Sequence, residues 1–220
     1  MSEVENRRPL KVRDRAWAKA FAARLAKARV QPNMISAMSV VFAVLGAGLA
    51  ALSGGSSPIL RSLLLILAAG CIQGRLLCNL FDGMVAVEHN AASRTGGIWN
   101  ELPDRIADAL LFAGAGYGLS GAGWAVGVSL GLIAAVLAVL TAYVRELGRG
   151  LGQPADFSGP MAKQHRMAAL TAAFLISALE PLWGGSGQIL LVGLVMIIVG
   201  TIWTVVRRVR NLAAALNAAE

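Results

Sequence analysis

Carboxylate and amide side chains with helical spacing are concentrated in one short stretch of a chain that is otherwise mostly apolar. They are Asn79 and Asp82, three residues apart, followed by Asn100, Asp104 and Asp108 at intervals of four. Spacings of three and four residues place side chains on one face of a helix. Clustered oxygen ligands suit Mg²⁺, Mn²⁺ or Ca²⁺, whereas zinc prefers nitrogen and sulfur. The pattern therefore predicts a divalent cation site between two helices.

Glycines lie beside both parts of this set. Gly83 follows Asp82 directly, and Gly96 and Gly97 precede Asn100. Because glycine lacks a Cβ, the backbone and a ligand can approach each other closely at these positions. These glycines are therefore candidate ligand contacts.

The composition is that of an integral membrane protein. Of the 220 residues, 56% are hydrophobic and 15% are charged, whereas soluble domains carry about 25% charged residues. Residues 30–60, 109–144 and 181–206 contain no charged side chain. Each run exceeds the roughly 20 apolar residues that cross a bilayer as a helix. Charge persists to Arg29 ahead of a full span, which is unlike a secretory signal peptide.

Six transmembrane helices are expected after a basic N-terminal segment, so the predicted fold class is all-α. The expected helices cover residues 33–53, 59–87, 97–119, 125–147, 159–179 and 188–207. This predicts three regions: a basic cytoplasmic and interfacial segment (1–30), a six-helix transmembrane domain (31–210) and a cytoplasmic tail (211–220).

The distribution of Lys and Arg predicts the orientation of these helices. Nine of the twenty precede Val30, and further groups lie within residues 145–166 and 207–210, on the same side of the expected helices. The opposite connections contain only Arg61. Because Lys and Arg are enriched in cytoplasmic loops, both termini and the carboxylate-rich stretch are predicted to face the cytoplasm.

The N-terminal segment is predicted to lie on the membrane surface. Trp17, Phe21 and Leu25 share one side of a helix within residues 12–29, and basic residues surround them. This is typical of an interfacial amphipathic helix, although a solvated basic tail is the alternative. The net charge of +8 favours contact with anionic lipid. Because the orientation already accounts for this charge, nucleic acid is not an expected partner.

The carboxylate-rich stretch resembles the signature of the CDP-alcohol phosphotransferases, D-x2-D-G-x2-A-R-x8-G-x3-D-x3-D, which bridges two membrane helices. With the full spacing kept, five of its eight positions match. The signature falls on Asn79, Asp82, Gly83, Ala86, Val87, Gly96, Asn100 and Asp104. PNMIS at residues 32–36 is likewise similar to the PN-x-[LI]-[ST] opening of the family's first helix. The resemblance covers nearly the whole membrane portion and implies the six-helix fold.

Three departures from the signature leave its register open. Asn79 and Asn100 replace aspartates, keeping a carbonyl oxygen but losing a charge, and Val87 replaces arginine. In the first register, Asn100 and Asp104 hold the last two positions. In the second, Asp104 and Asp108 hold them, with one additional turn in the link and a helix that begins at the preceding proline.

The resemblance implies an enzyme that transfers a phosphatidyl group from a CDP-linked lipid, such as CDP-diacylglycerol, to an alcohol and releases CMP in phospholipid biosynthesis. In the family, the first three aspartates hold two divalent cations and the nucleotide diphosphate, and the fourth acts as the general base. For this chain it implies Mg²⁺ or Mn²⁺, with one or two ions. The implied metal ligands are Asn79, Asp82, Asn100, Asp104 and Asp108, the implied catalytic base is Asp104 or Asp108, and the implied nucleotide contacts are Gly83, Ala86 and Gly96.

Basic residues around the connection between the fourth and fifth expected helices form a candidate acceptor site. They are Arg145, Arg149, Lys163 and Arg166. Family members that accept a phosphorylated alcohol use basic residues in this region, and arginine suits phosphate. The alternative is that these residues only set the topology. The resemblance further implies a homodimer in the cytoplasmic membrane of a bacterium, with its active site at the cytoplasmic face.

Two other interpretations remain open. In one, the aspartates only form buried salt bridges with nearby arginines, namely Arg75, Arg94 and Arg105. In the other, the chain is a catalytically impaired relative that binds CDP-lipid or a partner protein, because two aspartates of the signature are missing. A transporter is not favoured, because the sequence shows no internal repeat of the kind that transporters have.

Overall fold

The computed structural model describes residues 11–88 and 95–218, and the regular elements in these ranges are all helices. Seven α-helices are accompanied by two short 3₁₀ helices, Lys11–Asp14 before the first and Glu180–Trp183 between the last two. The α-helices are α1 (Ala16–Lys27), α2 (Pro32–Ser53), α3 (Pro58–Glu88), α4 (Gly96–Gly121), α5 (Gly127–Gly150), α6 (Lys163–Ser177) and α7 (Gln188–Asn217). The predicted all-α class is confirmed.

Prolines and a glycine set three of the helix boundaries. Pro32 is the first residue of α2 and Pro58 the first of α3, positions where the N–H that proline lacks has no helical partner. Gly187, with a φ of 101°, directly precedes α7. This left-handed conformation is one that glycine adopts readily.

Pro103 lies inside α4 and does not begin it. The amides of Ile98 and Trp99 already bond the carbonyl oxygen of Thr95, at 3.0 and 3.2 Å, so the helix is established before the proline is reached. A helix interior tolerates proline at the loss of one hydrogen bond. The prediction of a helix that begins at Pro103 is therefore wrong.

Four helices, α2, α3, α5 and α7, are long and apolar enough to cross a membrane, with mean hydropathies of 2.2, 1.8, 2.2 and 2.7. They identify an integral membrane protein. The prediction of six spans also included the counterparts of α4 and α6. Charged residues occupy the first half of α4, and α6 has only 15 residues. Length and composition alone therefore identify four of the six predicted spans.

Small residues bring α4 close to both of its neighbours. A Cβ at Gly118 would collide with the backbone of Ala50 in α2, and a Cβ at Gly116 would lie 2.9 Å from the Cα of Gly131 in α5. Within a membrane, such contacts let helix backbones approach closely. They hold α4 between α2 and α5, and so fix the carboxylates on its first turns.

The predicted amphipathic helix forms as α1 and packs on the end of α3. The ring of Phe81, which is buried, lies 4.6 Å from the ring of Phe21 and 6.1 Å from that of Trp17, measured between centroids. Trp17 and Phe21 nevertheless remain 52% and 44% exposed. The aromatic side of α1 thus contacts the helix bundle and keeps apolar surface for a further neighbour.

A buried carboxylate, Glu180, joins three helices at the far end of the bundle. Its Oε2 accepts hydrogen bonds from Arg61 in α3, from Ser177 in α6 and from the amide of Gly187, each at 2.7 Å. Its Oε1 accepts the amide of Ile189 in α7 at 2.6 Å. Burial alone would raise the pKa of Glu180, but these hydrogen bonds hold it below its ordinary value. Glu180 therefore caps the beginning of α7 as an anion.

Candidate active site

The candidate site lies where the last turns of α3 meet the first turns of α2, α4 and α6. α3 supplies Asn79 and Asp82, which their spacing places on one helix face, and α4 supplies Asp104 and Asp108. Asp82, Asp104 and Asp108 are 6%, 8% and 1% exposed. Three carboxylates are thus buried together at one end of the bundle.

Asp82 accepts two hydrogen bonds but forms no ion pair with any residue in the described part of the chain. Ser36 in α2 donates its hydroxyl to Oδ2 at 2.7 Å, and the amide of Gly83 donates to Oδ1 at 2.5 Å. Ser36 is the serine of the PNMIS stretch, and its contact with Asp82 was not predicted. A buried carboxylate without a nearby cation is costly to keep ionised. Asp82 is therefore suited to bind a cation.

Asp104 connects α4 with α3 and α6. Its Oδ1 accepts a hydrogen bond from Asn79 Nδ2 at 2.6 Å and another from Arg75 Nη2 at 3.3 Å. Its Oδ2 is in contact with Lys163 Nζ and lies 3.8 Å from Arg105 Nη2. The residues at the first and last acidic positions of the first register, Asn79 and Asp104, are therefore in direct contact and belong to one site.

Asp108 lies one helical turn further along α4 and is enclosed by two arginines. Arg75 Nη2 donates to Oδ1 at 2.6 Å, and Arg166 Nη2 donates to Oδ2 at 3.1 Å. All three side chains are at most 1% exposed. Arg166 is held in turn by Thr141 Oγ1 at 3.0 Å and by the carbonyl oxygen of Met161 at 2.9 Å. Asp108 is therefore part of a closed ionic cluster without access to solvent.

The other positions of the signature differ in exposure. Gly83, Ala86 and Gly96 are half-buried, whereas Asn100 is exposed on the first turns of α4. The side chain of Val87 lies outside the part of the chain that is described. Asn100 is thus not a member of the buried cluster.

The four basic residues predicted to bind a phosphorylated acceptor divide into two pairs. The pair on α6, Lys163 and Arg166, contacts the buried aspartates of α4. The pair on α5 forms ion pairs with glutamates. Arg145 lies 2.5 Å from Glu101, and Arg149 lies 2.9 Å from Glu146. The spacing K-x-x-R places both α6 cations on one helix face, but their pairing with aspartates was not predicted.

The interpretation in which the aspartates only form buried salt bridges with nearby arginines is correct in part. Arg75 pairs with both aspartates of α4, as that interpretation expects. Arg105 pairs with Glu101 at 3.1 Å and with Asp104 at 3.8 Å, but not with the aspartate three residues after it. Arg94 lies outside the described residues. Salt bridges therefore account for the aspartates of α4 but not for Asp82.

The donor set fits one divalent cation but not two. Asn79 donates its amide nitrogen to Asp104, and its carbonyl oxygen, a ligand of the kind that Mg²⁺ and Mn²⁺ prefer, belongs to a residue on the same helix face as Asp82. Within the described ranges, no three His, Cys, Asp or Glu side chains form a metal-binding group. The charges of Asp104 and Asp108 are already balanced by protein cations. A second ion would have to displace those cations.

Comparisons with known proteins identify the family and the fold. The family model described as CDP-alcohol phosphatidyltransferase matches residues 29–207. Structures of the phosphatidylinositol phosphate synthase of Mycobacterium tuberculosis are similar to the chain at 20% identity. With CDP-DAG bound, that enzyme gives a TM-score of 0.74 over 89% of this chain and 92% of its own. In complex with manganese and citrate, it gives 0.71 over 89% and 88%. No curated protein matches the sequence.

Proposed function

The chain belongs to the CDP-alcohol phosphatidyltransferase family, and from that premise we propose that it transfers a phosphatidyl group from a CDP-linked lipid to an alcohol and releases CMP. The observation that carries this proposal is Asp82, a buried carboxylate that no cation of the described chain neutralises. Charged groups in membrane proteins are expensive to bury and are commonly retained for function. Asp82 also lies in the D-G-x2-A part of the signature.

We propose that Asp82 and Asn79 hold one Mg²⁺ or Mn²⁺ ion, which neutralises the diphosphate of the donor and the charge that develops on CMP. Of the similar structures of the mycobacterial enzyme, one has CDP-DAG bound and another is a complex with manganese and citrate. The half-buried Gly83, Ala86 and Gly96 would line the nucleotide. Asn100, on the exposed side of α4, is assigned the third signature position.

Asp104 is the proposed general base. It is in contact with Asn79 and with Lys163, so it is close to the proposed ion and remains an anion beside a cation. An anionic carboxylate at this place can take the proton of the acceptor hydroxyl. Asp108 is less suited to that role, because two arginines enclose it and it is 1% exposed. These contacts favour the first register of the signature.

A groove between α2 and α4 is the proposed place of an acyl chain of the donor. It has a volume of about 490 Å³ and is lined by apolar side chains from residues 37–45 of α2 and 98–106 of α4. Pro103 at its wall directly precedes Asp104. The groove thus begins next to the carboxylates that would meet the diphosphate, as a lipid with a polar head requires.

Arg145 and Arg149 are the proposed contacts of an acceptor that carries a phosphate. Their present partners are Glu101 and Glu146, and the exposed pair of Arg149 with Glu146 contributes little, about 0–1 kcal/mol. A phosphate can therefore replace a glutamate at small cost. Lys163 and Arg166 are engaged with the buried aspartates and are less available to the acceptor.

For the assembly in the membrane, we propose that α4 and α6 also cross the bilayer, giving six spans within residues 31–210. Both termini and the active site would then face the cytoplasm, with segment 1–30 on anionic lipid and 211–220 as a tail. The exposed faces of Trp17 and Phe21 on α1 support an interfacial position. A homodimer in the cytoplasmic membrane of a bacterium completes this proposal.

A second candidate function is that of an impaired relative, which binds CDP-lipid without transfer. The observation in its favour is that Asn79 and Asn100 replace aspartates. It predicts binding of CDP-lipid that needs no divalent cation, whereas the enzyme needs the cation for turnover.

The experiment that separates the two uses the purified full chain in proteoliposomes with CDP-diacylglycerol. Release of CMP is measured with Mn²⁺ or with EDTA, with glycerol phosphate, inositol phosphate and serine as acceptors. We expect release that depends on both Mn²⁺ and one acceptor. Binding of CDP-diacylglycerol with no release from any acceptor would contradict the proposed transfer and favour the impaired relative.

A further inference from the structure

The buried ionic cluster holds three carboxylates, and its protein cations form ion pairs with the two aspartates of α4 but, in the described part of the chain, not with Asp82. Its three carboxylates are Asp82, Asp104 and Asp108, and its three cations are Arg75, Lys163 and Arg166. The side chains of Arg75 and Arg166 are at most 1% exposed, and that of Lys163 is 24% exposed. The nearby Arg105 pairs with Glu101 at 3.1 Å and also lies 3.8 Å from Asp104 Oδ2.

Arg75 bridges the two aspartates of α4 as a shared cation does. One nitrogen, Nη2, lies 2.6 Å from Asp108 Oδ1, 3.3 Å from Asp104 Oδ1 and 3.3 Å from the Asp104 carbonyl oxygen. The remaining oxygens are occupied by the α6 cations, Lys163 on Asp104 and Arg166 on Asp108. All four carboxylate oxygens of this pair therefore have a cationic partner.

We propose that Arg75, Lys163 and Arg166 take the place of a second divalent cation, so that this chain uses a single ion held at Asp82 and Asn79. The inference rests on the proposed function. It is carried by the pairing of Asp104 and Asp108: each carboxylate oxygen of the two already has a cationic side chain as partner, so neither aspartate is left to hold a second ion.

In this arrangement, Lys163 is the cation that contacts the substrate. It is the most exposed of the three cations and contacts the outer oxygen of Asp104. A lysine ammonium binds phosphate as a compact point charge. Lys163 is therefore the cation placed to contact the donor's diphosphate, while Arg75 and Arg166 are positioning residues that hold the aspartates of α4.

The first test counts Mn²⁺ ions bound by the purified full chain without donor or acceptor. Free Mn²⁺ is measured by electron paramagnetic resonance during a titration. One bound ion per chain is expected, and two ions or none would overturn the inference. CMP release is measured on the same preparation. One ion together with no release would support the charge substitution while contradicting the proposed function, so the two failures are distinguishable.

The second test removes Lys163, the most exposed of the three cations. Lys163→Met removes one positive charge beside Asp104, and loss of its repulsion on a nearby divalent ion is expected to tighten Mn²⁺ binding by about tenfold. Arg207→Met, which removes an exposed cation of α7, is the matched control and should leave the Mn²⁺ affinity unchanged. Unchanged or weaker Mn²⁺ binding in Lys163→Met would overturn the inference that Lys163 takes part in replacing a second divalent cation.

Discussion

Two buried carboxylate clusters lie at opposite ends of the helix bundle, and their oxygens are satisfied differently. Glu180 receives four hydrogen bonds, two from backbone amides, and pairs with Arg61. Asp82 receives two hydrogen bonds, and no described residue forms an ion pair with it. An ionised carboxyl group can accept about four hydrogen bonds. Glu180 is therefore saturated, whereas Asp82 retains capacity for a ligand.

The comparison teaches that burial alone does not identify a functional carboxylate. Glu180 is fully buried and Asp82 is 6% exposed, yet the fixed donors around Glu180 serve to join α3, α6 and α7. Asp108 resembles Glu180, because two arginines occupy both of its oxygens. Asp104 is intermediate, since its partners include a lysine with residual exposure. Unused acceptor capacity is the property that separates the two kinds of cluster.

The largest expected effect is on turnover and comes from Asp104→Asn. Loss of a general base lowers turnover by roughly 10²–10⁴-fold, and the amide keeps the shape of the side chain. CMP release from CDP-diacylglycerol measures the effect. Asp14→Asn, which changes an exposed carboxylate before α1, is the control and should retain release. An unchanged rate of CMP release in Asp104→Asn would contradict the assignment of Asp104 as the general base.

Asp108→Asn is expected to act on stability. The change leaves Arg75 and Arg166 buried without their shared carboxylate, and loss of one partner of a buried ion pair costs about 3–5 kcal/mol. The free energy of unfolding in detergent is the measurement. A variant as stable as the wild type that has lost CMP release would instead identify Asp108 as the base, in the second register.

Glu180→Gln is expected to lower stability by somewhat less, about 3 kcal/mol, because it leaves one buried arginine, Arg61, without its carboxylate, while hydrogen bonds to the amide survive in part. The variant should release CMP at the wild-type rate at temperatures where it stays folded. Thermal unfolding and CMP release on one preparation check both parts. A folded variant without release would connect the far end of the bundle to the chemistry.

The smallest expected effect is the pH dependence that Glu180 contributes. Its pKa is lower in the folded protein than in the unfolded chain, where glutamate has a pKa of about 4.3. Its ionised form therefore adds stability that is complete above that pH and is lost as the pH falls through the folded pKa. Unfolding measured between neutral and acidic pH should show a decline that is shallower in Glu180→Gln. An identical decline in both proteins would contradict this assignment.

Much of the fold and the centre of the site follow from the sequence because both depend on local patterns. Uncharged runs predict the spans of α2, α5 and α7, and the signature spacing identifies Asn79, Asp82 and Asp104. The start of α4 was placed wrongly in one register because Pro103 suits a first helical position, while earlier backbone bonds had already formed the helix. Local sequence does not report those bonds.

The ionic partners of the aspartates required the three-dimensional arrangement. Arg166 is 58 residues from Asp108, and Ser36 is 46 residues from Asp82, so no helical spacing relates them. Their contacts depend on how α2 and α6 pack beside α3 and α4. Glu180 carried no motif at all, and its role became visible only through its partners on α3, α6 and α7.

The most direct test of the account compares wild type with Asp82→Asn in one preparation, measuring Mn²⁺-dependent CMP release and the free energy of unfolding. Because Asp82 has capacity reserved for a ligand and no ion pair in the described structure, we predict that Asp82→Asn loses CMP release and is at least as stable as the wild type. A variant that is destabilised like Glu180→Gln and still releases CMP would contradict the account, because Asp82 would then be a structural carboxylate.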